Sequence, residues 1–406
     1  MTITWPEPFP GVHWIDREEE EAVLEVLRGG SLFRYFGKSP PRFVAQLEAT
    51  AREFYGVKHA LAVNSGTGAL MTAMIAMGIG PGSEVIVPSF FWVATVGAVV
   101  QANAVPVLCE VDDSLTMDPR DLERKITPKT RLIVPVHMAG APSDMDAIGA
   151  IAERHGILVL EDCAQANGGE FHGRKLGTFG RLGMFSLQLN KNATAGEGGL
   201  LVTDDAALYE RCVSAHDLGI PWVGAAPCET IPQSVTWGVG RRMSELCGAV
   251  ASVQMRKLPQ IVARMRASKQ RIKSLLRHVP GIQFRRLNDE QGDSGPFLII
   301  LLQDEPQAIR AAQRINEAGL GGTCRLADYG LHIYSNVPQL VQQVPLSPAG
   351  NPWSLPQNQG SVRGYAKGTC PRSDALFARS ILIPIPSRLT VSQEEQAAAV
   401  IQAAVA

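Results

Sequence analysis

The sequence predicts an α/β protein with a mostly parallel, doubly wound sheet flanked by helices and a smaller C-terminal α+β domain. Short apolar runs alternate with helical segments over the first part of the chain, a pattern typical of parallel sheets. From about residue 260 the pattern changes to a charged helix and an apolar strand. The 406 residues also exceed the ~250 to 300 at which single cores stop growing. We therefore expect a large domain over 1–258 and a small one over 259–406.

Composition narrows the classes of partner. The 38 basic and 39 acidic residues give a net charge of −1, so no global field attracts nucleic acid or an anionic membrane. The seven cysteines lack CxxC or Cys/His spacing, which favours reduced thiols in the cytoplasm and no metal site. No window approaches ~18 uninterrupted apolar residues, and the N-terminus lacks a signal pattern. We expect a small-molecule substrate and no membrane partner.

The first elements are two helices and a strand. Residues 16–28 place apolar side chains on one face, with acidic residues at the start, where the helix dipole favours them. A second amphipathic helix over 41–55 leads to the strand 59–63. The loop between the helices contains Arg34 and Tyr35, which are candidates for the mouth of a site, although an ordinary packed loop is the favoured interpretation.

A glycine-rich turn follows the strand. Residues 64–68 read Asn-Ser-Gly-Thr-Gly and open an apolar helix over 69–77. Free backbone N–H groups at a helix start, with hydroxyls beside them, form a cradle for an anion. The motif alone is weak evidence, because ordinary helix caps have the same composition.

Further strands and helices alternate along the large domain. Predicted strands span 84–88, 105–111 and 131–137, and predicted helices span 117–126 and 143–155. Trp92 follows the first of these strands, where a flat indole can stack on a ring or simply pack. His137 ends the third strand, and we interpret it as a structural histidine.

The segment 158–205 contains the strongest chemical signals. An apolar run ends in Asp162, at the strand edge where ligands sit in open α/β sheets. Lys191 stands alone among amide and small side chains, and such a lysine can form a Schiff base. Gly196, Gly198 and Gly199 then permit positive φ and close backbone approach before a strand over 199–203. Alone, Asp162 also fits a strand cap and Lys191 a solvated loop; their combined spacing favours chemistry.

Together these features resemble the fold-type I sugar aminotransferases that depend on pyridoxal 5'-phosphate (PLP), the DegT/StrS group. That group has an aspartate in E-D-x-A-Q and a lysine in S-x-Q-x-x-K-x-x-T-x-G-E-G-G, and this chain has EDCAQ and SLQLNKNATAGEGG. The resemblance implies that Asp162 pairs with the pyridine nitrogen and that Lys191 carries the cofactor. It further assigns ring contacts to Trp92 and Gln165, and it assigns the phosphate to Gly66, Thr67, Gly68 and Ser186.

The resemblance implies transamination. The amino donor would be glutamate or glutamine, and the acceptor ranked first is a nucleotide-linked or acid sugar such as a 3-deoxy-octulosonate. An aminocyclitol or aminohydroxybenzoate pathway is the alternative. A dehydratase of the same fold is a further alternative, but such members typically lack the lysine that Lys191 matches. A regulatory relative without PLP is disfavoured by the intact Asp162 and Lys191.

The later part of the chain is less informative. Residues 219–235 are interpreted as a loop at the boundary of a homodimer with shared active sites. Residues 237–258 resemble the family's G-x-N-x-R-M-S-E-x-x-A-A stretch, which opens a long helix, but Gly240 replaces the asparagine that contacts the partner's PLP phosphate. Arg241 or Arg242 is the predicted substitute, unless they pair with acids such as Glu245. The small domain is predicted to contain a strand over 296–302, helices over 306–319 and from 391 onward, and a long loop over 344–367.

Overall fold

The structure is a computed structural model that describes residues 3–219 and 234–406, with the backbone of 222–223 and 226–227. Short 3-10 helices connect several of its elements. The helices of the described part are α1 Arg17–Gly29, α2 Phe43–Tyr55, α3 Gly66–Ala76, α4 Val93–Gln101, α5 Pro119–Lys125, α6 Met145–His155, α7 Ala206–His216, α8 Glu245–Leu276, α9 Glu305–Glu317, α10 Pro338–Val341, α11 Pro371–Arg379 and α12 Val391–Val405. The strands are β1 His59–Val63, β2 Glu84–Pro88, β3 Val105–Cys109, β4 Thr130–Ile133, β5 Leu158–Asp162, β6 Glu170–Phe171, β7 Arg174–Lys175, β8 Leu182–Ser186, β9 Gly199–Thr203, β10 Trp222–Val223, β11 Ala226–Pro227, β12 Gln283–Phe284, β13 Phe297–Leu301, β14 Cys324–Arg325 and β15 Ser380–Pro384.

A seven-stranded sheet organises the first half of the chain. Its strand order is β1-β9-β8-β5-β4-β2-β3. The strands β8, β5, β4, β2 and β3 are parallel neighbours, whereas β9 is antiparallel to both β1 and β8. Both faces are buried, because Val85 and Val87 of β2 belong to one apolar cluster and Ile86 belongs to the other. The predicted mostly parallel, doubly wound sheet is confirmed.

A smaller antiparallel sheet lies in the C-terminal part. Its order is β12-β13-β15-β14, and all its pairs are antiparallel. The predicted α+β character of this region is confirmed. Helix α8 connects the two sheets and continues through Pro259, with Leu258, Ile261 and Val262 buried around it. The predicted boundary between 258 and 259 falls inside this helix, and the division into two domains stays a prediction.

Several predicted bounds match the structure. Strands β1, β2 and β9 span the predicted residues, and α12 begins at Val391 as predicted. Other predictions were wrong in extent; for example, β3 ends at Cys109 rather than at 111. Helix α3 begins at Gly66 rather than at 69, because the Ser65 hydroxyl caps it by accepting from Gly68 N–H at 2.9 Å. The strand predicted over 131–137 ends at Ile133 in β4.

The long loop over 344–367 packs on the large sheet. Tyr365 is buried and its hydroxyl donates to the Pro106 carbonyl at 2.8 Å, while Gly82 N–H donates to Asn358 Oδ1 at 2.7 Å. Gly82 and Pro106 lie at the amino ends of β2 and β3. The loop is therefore at the opposite end of the sheet from the carboxyl ends of these strands.

Two further predictions concern membrane-spanning helices and the loop over 219–235. No helix in the described part of the chain combines the length and apolar character that crossing a membrane requires. The loop predicted over 219–235 lies mostly outside the described residues.

Candidate active site

One cavity collects most of the predicted site residues. It has a volume of about 390 Å³ and lies at the carboxyl ends of β5 and β8, beside the start of α3. Six predicted residues line it: Gly66, Thr67, Trp92, Asp162, Ser186 and Lys191. Gly68 is buried in the first turn of α3 and does not line it. Gln165 lines an adjoining recess that shares Asn190 and Lys191 with the cavity. Residues more than 100 positions apart in sequence thus meet in one place.

Asp162 is fixed at the end of β5 by hydrogen bonds. Its Oδ2 accepts from the Thr95 hydroxyl at 2.8 Å, and its Oδ1 accepts from Ala164 N–H at 3.0 Å. Burial raises the pKa of Asp162 above its usual value, and both bonds oppose that shift. Lys191 lowers this pKa as well, through its positive charge. The site therefore contains a buried carboxylate whose ionised form has two fixed donors.

Lys191 is the cavity's amine. Burial lowers its pKa to about 8, and the charge of Asp162 opposes that shift. Its backbone N–H donates to the Gln188 carbonyl at 3.0 Å, so the lysine sits on a tight turn after β8. A lysine with a lowered pKa contains more of the neutral, nucleophilic amine near neutral pH. These properties suit covalent chemistry with a carbonyl compound.

The start of α3 forms the predicted anion cradle. The N–H groups of Gly66 and Thr67 precede the first helical hydrogen bond, so they are available to a ligand. The Ser186 hydroxyl approaches from β8 and lines the same cavity. A methyl group at Gly66 would lie 2.8 Å from Ser186 Cβ, so only glycine allows the two segments to approach this closely. The geometry suits a phosphate group.

Three rings form one wall of the site. Trp92, half-exposed at the start of α4, lies with its ring centroid 4.6 Å from that of His332. The His332 ring stacks in turn on Tyr329, with centroids 3.9 Å apart and planes inclined by 11°. His332 lines the cavity and Tyr329 lines the adjoining recess. The C-terminal region thus contributes to a site that begins on the large sheet.

Gln165 has a defined amide orientation. Its Oε1 accepts a 2.9 Å hydrogen bond from Ala139 N–H, so its NH₂ group is the donor; this group bonds with the Tyr329 hydroxyl and has a second N–H for a ligand. Ala139 lies in the left-handed region at φ 53°, and the guanidinium of buried Arg285 donates to the carbonyls of Met138 and Ala139. The C-terminal region therefore holds the loop that orients Gln165.

The predicted structural histidine, His137, belongs to a buried hydrogen-bond network. Potential metal-ligating atoms of His137, Glu161 and Cys163 lie within 4.8 Å of one another. However, His137 Nδ1 accepts from Ser143 N–H at 3.0 Å, and Nε2 lies 3.2 Å from Glu161 Oε2. The Glu161 oxygens also accept from the backbone N–H groups of Gly177, Phe179 and Gly180. These bonds occupy the lone pairs that a metal would need, and the network instead anchors the strand that ends in Asp162.

Some residues of the cavity were not singled out from the sequence. Thr95 lies three positions after Trp92, which is about one helical turn. This spacing is the sequence signal that could have placed Thr95 on the same side of the helix as Trp92. Ser65 lies within the glycine-rich turn, where its composition predicts a helix cap but no contact with a ligand. His332 had no such signal, because 141 positions separate it from Lys191 and nothing in the intervening sequence connects the two.

Comparison with known sequences identifies the group to which this site belongs. The sequence model of the DegT/DnrJ/EryC1/StrS aminotransferase family matches residues 13–340. The chain belongs to this family. The resemblance inferred from the two motifs is confirmed.

Individual relatives agree with this membership. The chain is 40% identical over 272 residues to the L-glutamine:2-deoxy-scyllo-inosose aminotransferase of Micromonospora echinospora. That match covers 65% of this chain and 63% of the relative, so it spans less than two thirds of the relative's length. Among solved structures, 3-amino-5-hydroxybenzoic acid synthase has a TM-score of 0.79 at 26% identity, covering 100% of this chain and 98% of that one. An aminotransferase from Psychrobacter cryohalolentis has a TM-score of 0.81 at 26% identity, covering 99% and 98%.

The DegT/DnrJ/EryC1/StrS family depends on PLP, which confirms the predicted cofactor. The residues present fit that group. The cavity offers a buried amine for an aldehyde, a buried carboxylate for a pyridine nitrogen, and free N–H groups for a phosphate. Lys191, Asp162 and the turn at Gly66 and Thr67 are the residues in question. This set of groups would not bind a metal cation, because Lys191 offers only hydrogen-bond donors and the start of α3 is the positive end of a helix dipole.

Gly240 remains the point at which this chain departs from the family pattern. Of the two arginines that follow, Arg242 forms an ion pair with Asp217 and lies 5.3 Å from the Phe33 ring centroid. The alternative of pairing with an acid is therefore confirmed for Arg242, but the acid is Asp217 and not Glu245, whose carboxylate accepts from three N–H groups at the start of α2. Arg241 is buried, and no ion pair or hydrogen bond involves its Nη1 within the described residues.

The loop that contains Arg34 and Tyr35 is packed. Arg34 is buried, pairs with Glu48 at 2.7 Å and donates to the Ala62 carbonyl at 2.9 Å. Neither Arg34 nor Tyr35 lines the cavity. These contacts agree with the favoured interpretation as an ordinary packed loop, which stays a prediction.

Proposed function

We propose that this chain is a PLP-dependent aminotransferase that moves an amino group from glutamine to a polyhydroxylated ring ketone. One observation carries the proposal: the buried amine of Lys191, with a pKa lowered to about 8, shares a cavity with Asp162 and with the anion cradle of α3. When bound, PLP supplies an aldehyde that exchanges between amines and a ring that withdraws electrons from the reacting carbon.

Asp162 would hold the proton on the pyridine nitrogen. Burial alone raises the pKa of Asp162 and so favours its neutral form. A cationic ring beside the carboxylate would offset this effect and stabilise the ionised form. The Thr95 hydroxyl and Ala164 N–H keep both oxygens in place, so the carboxylate does not reorganise during the reaction. Ser186 and the N–H groups of Gly66 and Thr67 would bind the phosphate, and Gln165 would donate to the ring hydroxyl.

Lys191 would have two tasks. Its neutral amine would hold the cofactor before the donor arrives, and after release it would move a proton to or from the reacting carbon. A pKa of about 8 suits this exchange, because both protonation states are populated near neutral pH. Trp92 would cover one face of the ring and exclude water from the site.

The donor and acceptor are proposed by analogy with the relatives. The Micromonospora relative is named for glutamine as donor and for a cyclitol ketone as acceptor. These names favour the aminocyclitol alternative over the nucleotide-linked or acid sugar that the sequence analysis ranked first. A keto-sugar stays the second candidate, since both acceptors are ring ketones with several hydroxyl groups. Lys191 continues to disfavour a dehydratase.

A homodimer with shared active sites is part of the proposal. Large apolar side chains are exposed around the segment that contains Gly240: Trp237 is 90% exposed, Val239 64% and Leu218 62%. Such a patch is typical of a surface that is covered by another protein. A cytoplasmic location, inferred from the cysteine pattern, also stays a proposal.

A panel of donors and acceptors tests this proposal. The purified protein, loaded with PLP, is incubated with glutamine or glutamate and with 2-deoxy-scyllo-inosose or a nucleotide-linked keto-sugar, and products are identified by mass spectrometry. We expect amination of the cyclitol ketone with glutamine as donor. Amination of the keto-sugar alone would select the second candidate, and the absence of any aminated product would contradict the proposal.

A further inference from the structure

His332 is held rigidly against the mouth of the cavity. Its carbonyl accepts from Phe91 N–H at 3.0 Å, and Tyr334 N–H donates to the Ser89 carbonyl at 3.2 Å. These two bonds join the segment around His332 to the residues just before Trp92. The imidazole itself lies between the Trp92 and Tyr329 rings, 4.6 and 3.9 Å from their centroids. Its position is therefore determined by backbone bonds and by stacking.

Of the two imidazole nitrogens of His332, Nδ1 has a hydrogen-bond partner and Nε2 has none among the described residues. Nδ1 lies 3.0 Å from the Tyr329 carbonyl, which can only accept, so Nδ1 carries the proton. In the neutral ring, Nε2 then has an unshared pair. No hydrogen bond to Nε2 occurs among the described residues, although the ring lines the cavity. The ring is therefore oriented to accept a hydrogen bond from a ligand.

The ring stays neutral in this setting. Burial lowers the pKa of His332 to about 4; the bond to the Tyr329 carbonyl acts in the opposite direction, and the positive charge of Lys191 adds to the lowering. A neutral acceptor suits a hydroxyl group and does not suit a carboxylate, because two lone pairs would face each other. Glutamine, the proposed amino donor, has one carboxylate that this nitrogen would not bind and one amide NH₂ group that it could bind, whereas the proposed acceptor has hydroxyl groups around its whole ring.

We propose that His332 is a specificity-determining residue, whose Nε2 accepts a hydrogen bond from a hydroxyl group of the ring ketone beside Lys191. This inference rests on the proposed function and adds to it a subsite formed by the C-terminal region. His332 then selects acceptors by their hydroxyl pattern. It explains why the cavity wall combines Trp92 with a histidine rather than with a second apolar ring.

The test uses scyllo-inositol, which has the hydroxyl groups of a cyclitol and no ketone to react. Its dissociation constant is measured by calorimetry on PLP-loaded wild-type protein and on the variants His332→Phe and His332→Gln. His278→Phe is the matched control, because His278 is exposed on the surface and does not line the cavity. The first half-reaction, with glutamine, is followed in the same samples by the change in visible absorption.

We expect His332→Phe to weaken inositol binding about tenfold, the effect of losing one hydrogen bond at a partly buried polar site. His332→Gln should stay within about threefold of the wild type, because its amide oxygen can accept the same bond. The half-reaction with glutamine should fall less than inositol binding does in His332→Phe, and neither measurement should change in the control His278→Phe. Equal affinity in His332→Phe and the wild type, or no inositol binding to the wild type, would overturn the inference.

A second measurement does not depend on how His332→Phe folds. Monodeoxy analogues of 2-deoxy-scyllo-inosose each lack a different hydroxyl group, and the ketone beside Lys191 fixes the orientation of the ring. At least one analogue should be aminated by the wild type with a kcat/KM about tenfold below that of the parent ketone, and His332→Gln, which keeps an acceptor, should show the same loss within about threefold. Equal kcat/KM for all of them in the wild type would contradict the subsite. Failure of the wild type to react with glutamine would instead contradict the proposed function, so the two failures are distinguishable.

Discussion

The Thr95 hydroxyl donates a 2.8 Å hydrogen bond to Oδ2 of Asp162, and this bond joins the first turn of α4 to the end of β5. Ala164 N–H binds the other oxygen of the same carboxylate. Because a separate donor binds each oxygen, the carboxylate has a defined orientation toward the cavity. The proposed chemistry depends on this orientation, since a displaced carboxylate would not meet the ring nitrogen.

Asp162→Asn separates a chemical role from a structural one. The amide keeps the shape of the carboxylate and an oxygen for Ala164 N–H, so we expect the variant to fold and to bind PLP. It should lose about 10²-fold or more of the rate of the half-reaction with glutamine, because an amide does not stabilise a protonated ring. Stopped-flow absorbance measures this rate. Asp304→Asn, at the exposed cap of α9, is the control; near-normal donor turnover in Asp162→Asn would show that Asp162 is only a strand cap.

Gly66→Ala tests the cradle. The added methyl group would lie 2.8 Å from Ser186 Cβ and 3.0 Å from its Oγ, so α3 or β8 must shift. We expect PLP to bind at least about tenfold more weakly, because the N–H groups would move from the phosphate by a few tenths of an ångström. Gly149→Ala in α6 is the matched control, since no atom lies within 4 Å of its new methyl group and alanine favours a helix by ~1 kcal/mol. Equal PLP affinity in Gly66→Ala and the wild type would contradict the assignment.

Because the pKa of Lys191 is lowered, the stability of the protein without cofactor should depend on pH. Its folded pKa of about 8 lies below the ~10.4 of an unfolded lysine, so the unfolded state binds more protons between these values. Unfolding free energy should therefore rise with pH across this window, and the cost of the buried charge is present in full below pH 8. Lys191→Met removes that cost and should stabilise the apo-protein by roughly 1 to 3 kcal/mol at pH 7 and by much less at pH 10. Urea unfolding at both pH values measures this; a difference that does not depend on pH would contradict the lowered pKa.

Arg241 and Arg242 are the candidates for binding the PLP phosphate in place of the family's asparagine. Because Arg242 is engaged with Asp217, we expect Arg241 to be the residue that takes the place of the family's asparagine at Gly240. Arg241→Ala should weaken PLP retention and make it depend on protein concentration, as expected if the arginine acts across a subunit boundary. PLP dissociation is measured at several dilutions, with Arg242→Ala beside it. Unchanged affinity in both variants would mean that residues 66–68 and Ser186 of one subunit hold the phosphate alone.

Local sequence patterns were sufficient for the elements that have strong local signals. Strands β1, β2 and β9 are short apolar runs with clear ends, and each spans the predicted residues. Lys191 and Asp162 were predicted because their motifs resemble those of the family and each motif lies within one segment. Helix α8 was harder to predict: the change to charged residues from about 260 suggested a second element, but buried side chains on both sides of Pro259 stabilise one helix.

The remaining site residues depend on tertiary structure. His332 reaches the cavity because its segment pairs with residues 89–91, and such pairing leaves no trace in the spacing of residues along the chain. Arg285 orients Gln165 through the loop at Ala139 for the same reason. In both cases the contact joins the C-terminal region to the large sheet, so the sequence of either region alone does not contain it.

The central prediction is that Lys191 binds PLP covalently, and borohydride reduction identifies the lysine directly. PLP-loaded protein is reduced with borohydride, digested and analysed by mass spectrometry, with Lys191→Met treated in parallel. The account predicts one modified peptide, which contains Lys191, and no modified peptide in the variant. Modification of a different lysine in the wild type, with Lys191 unmodified, would contradict the account.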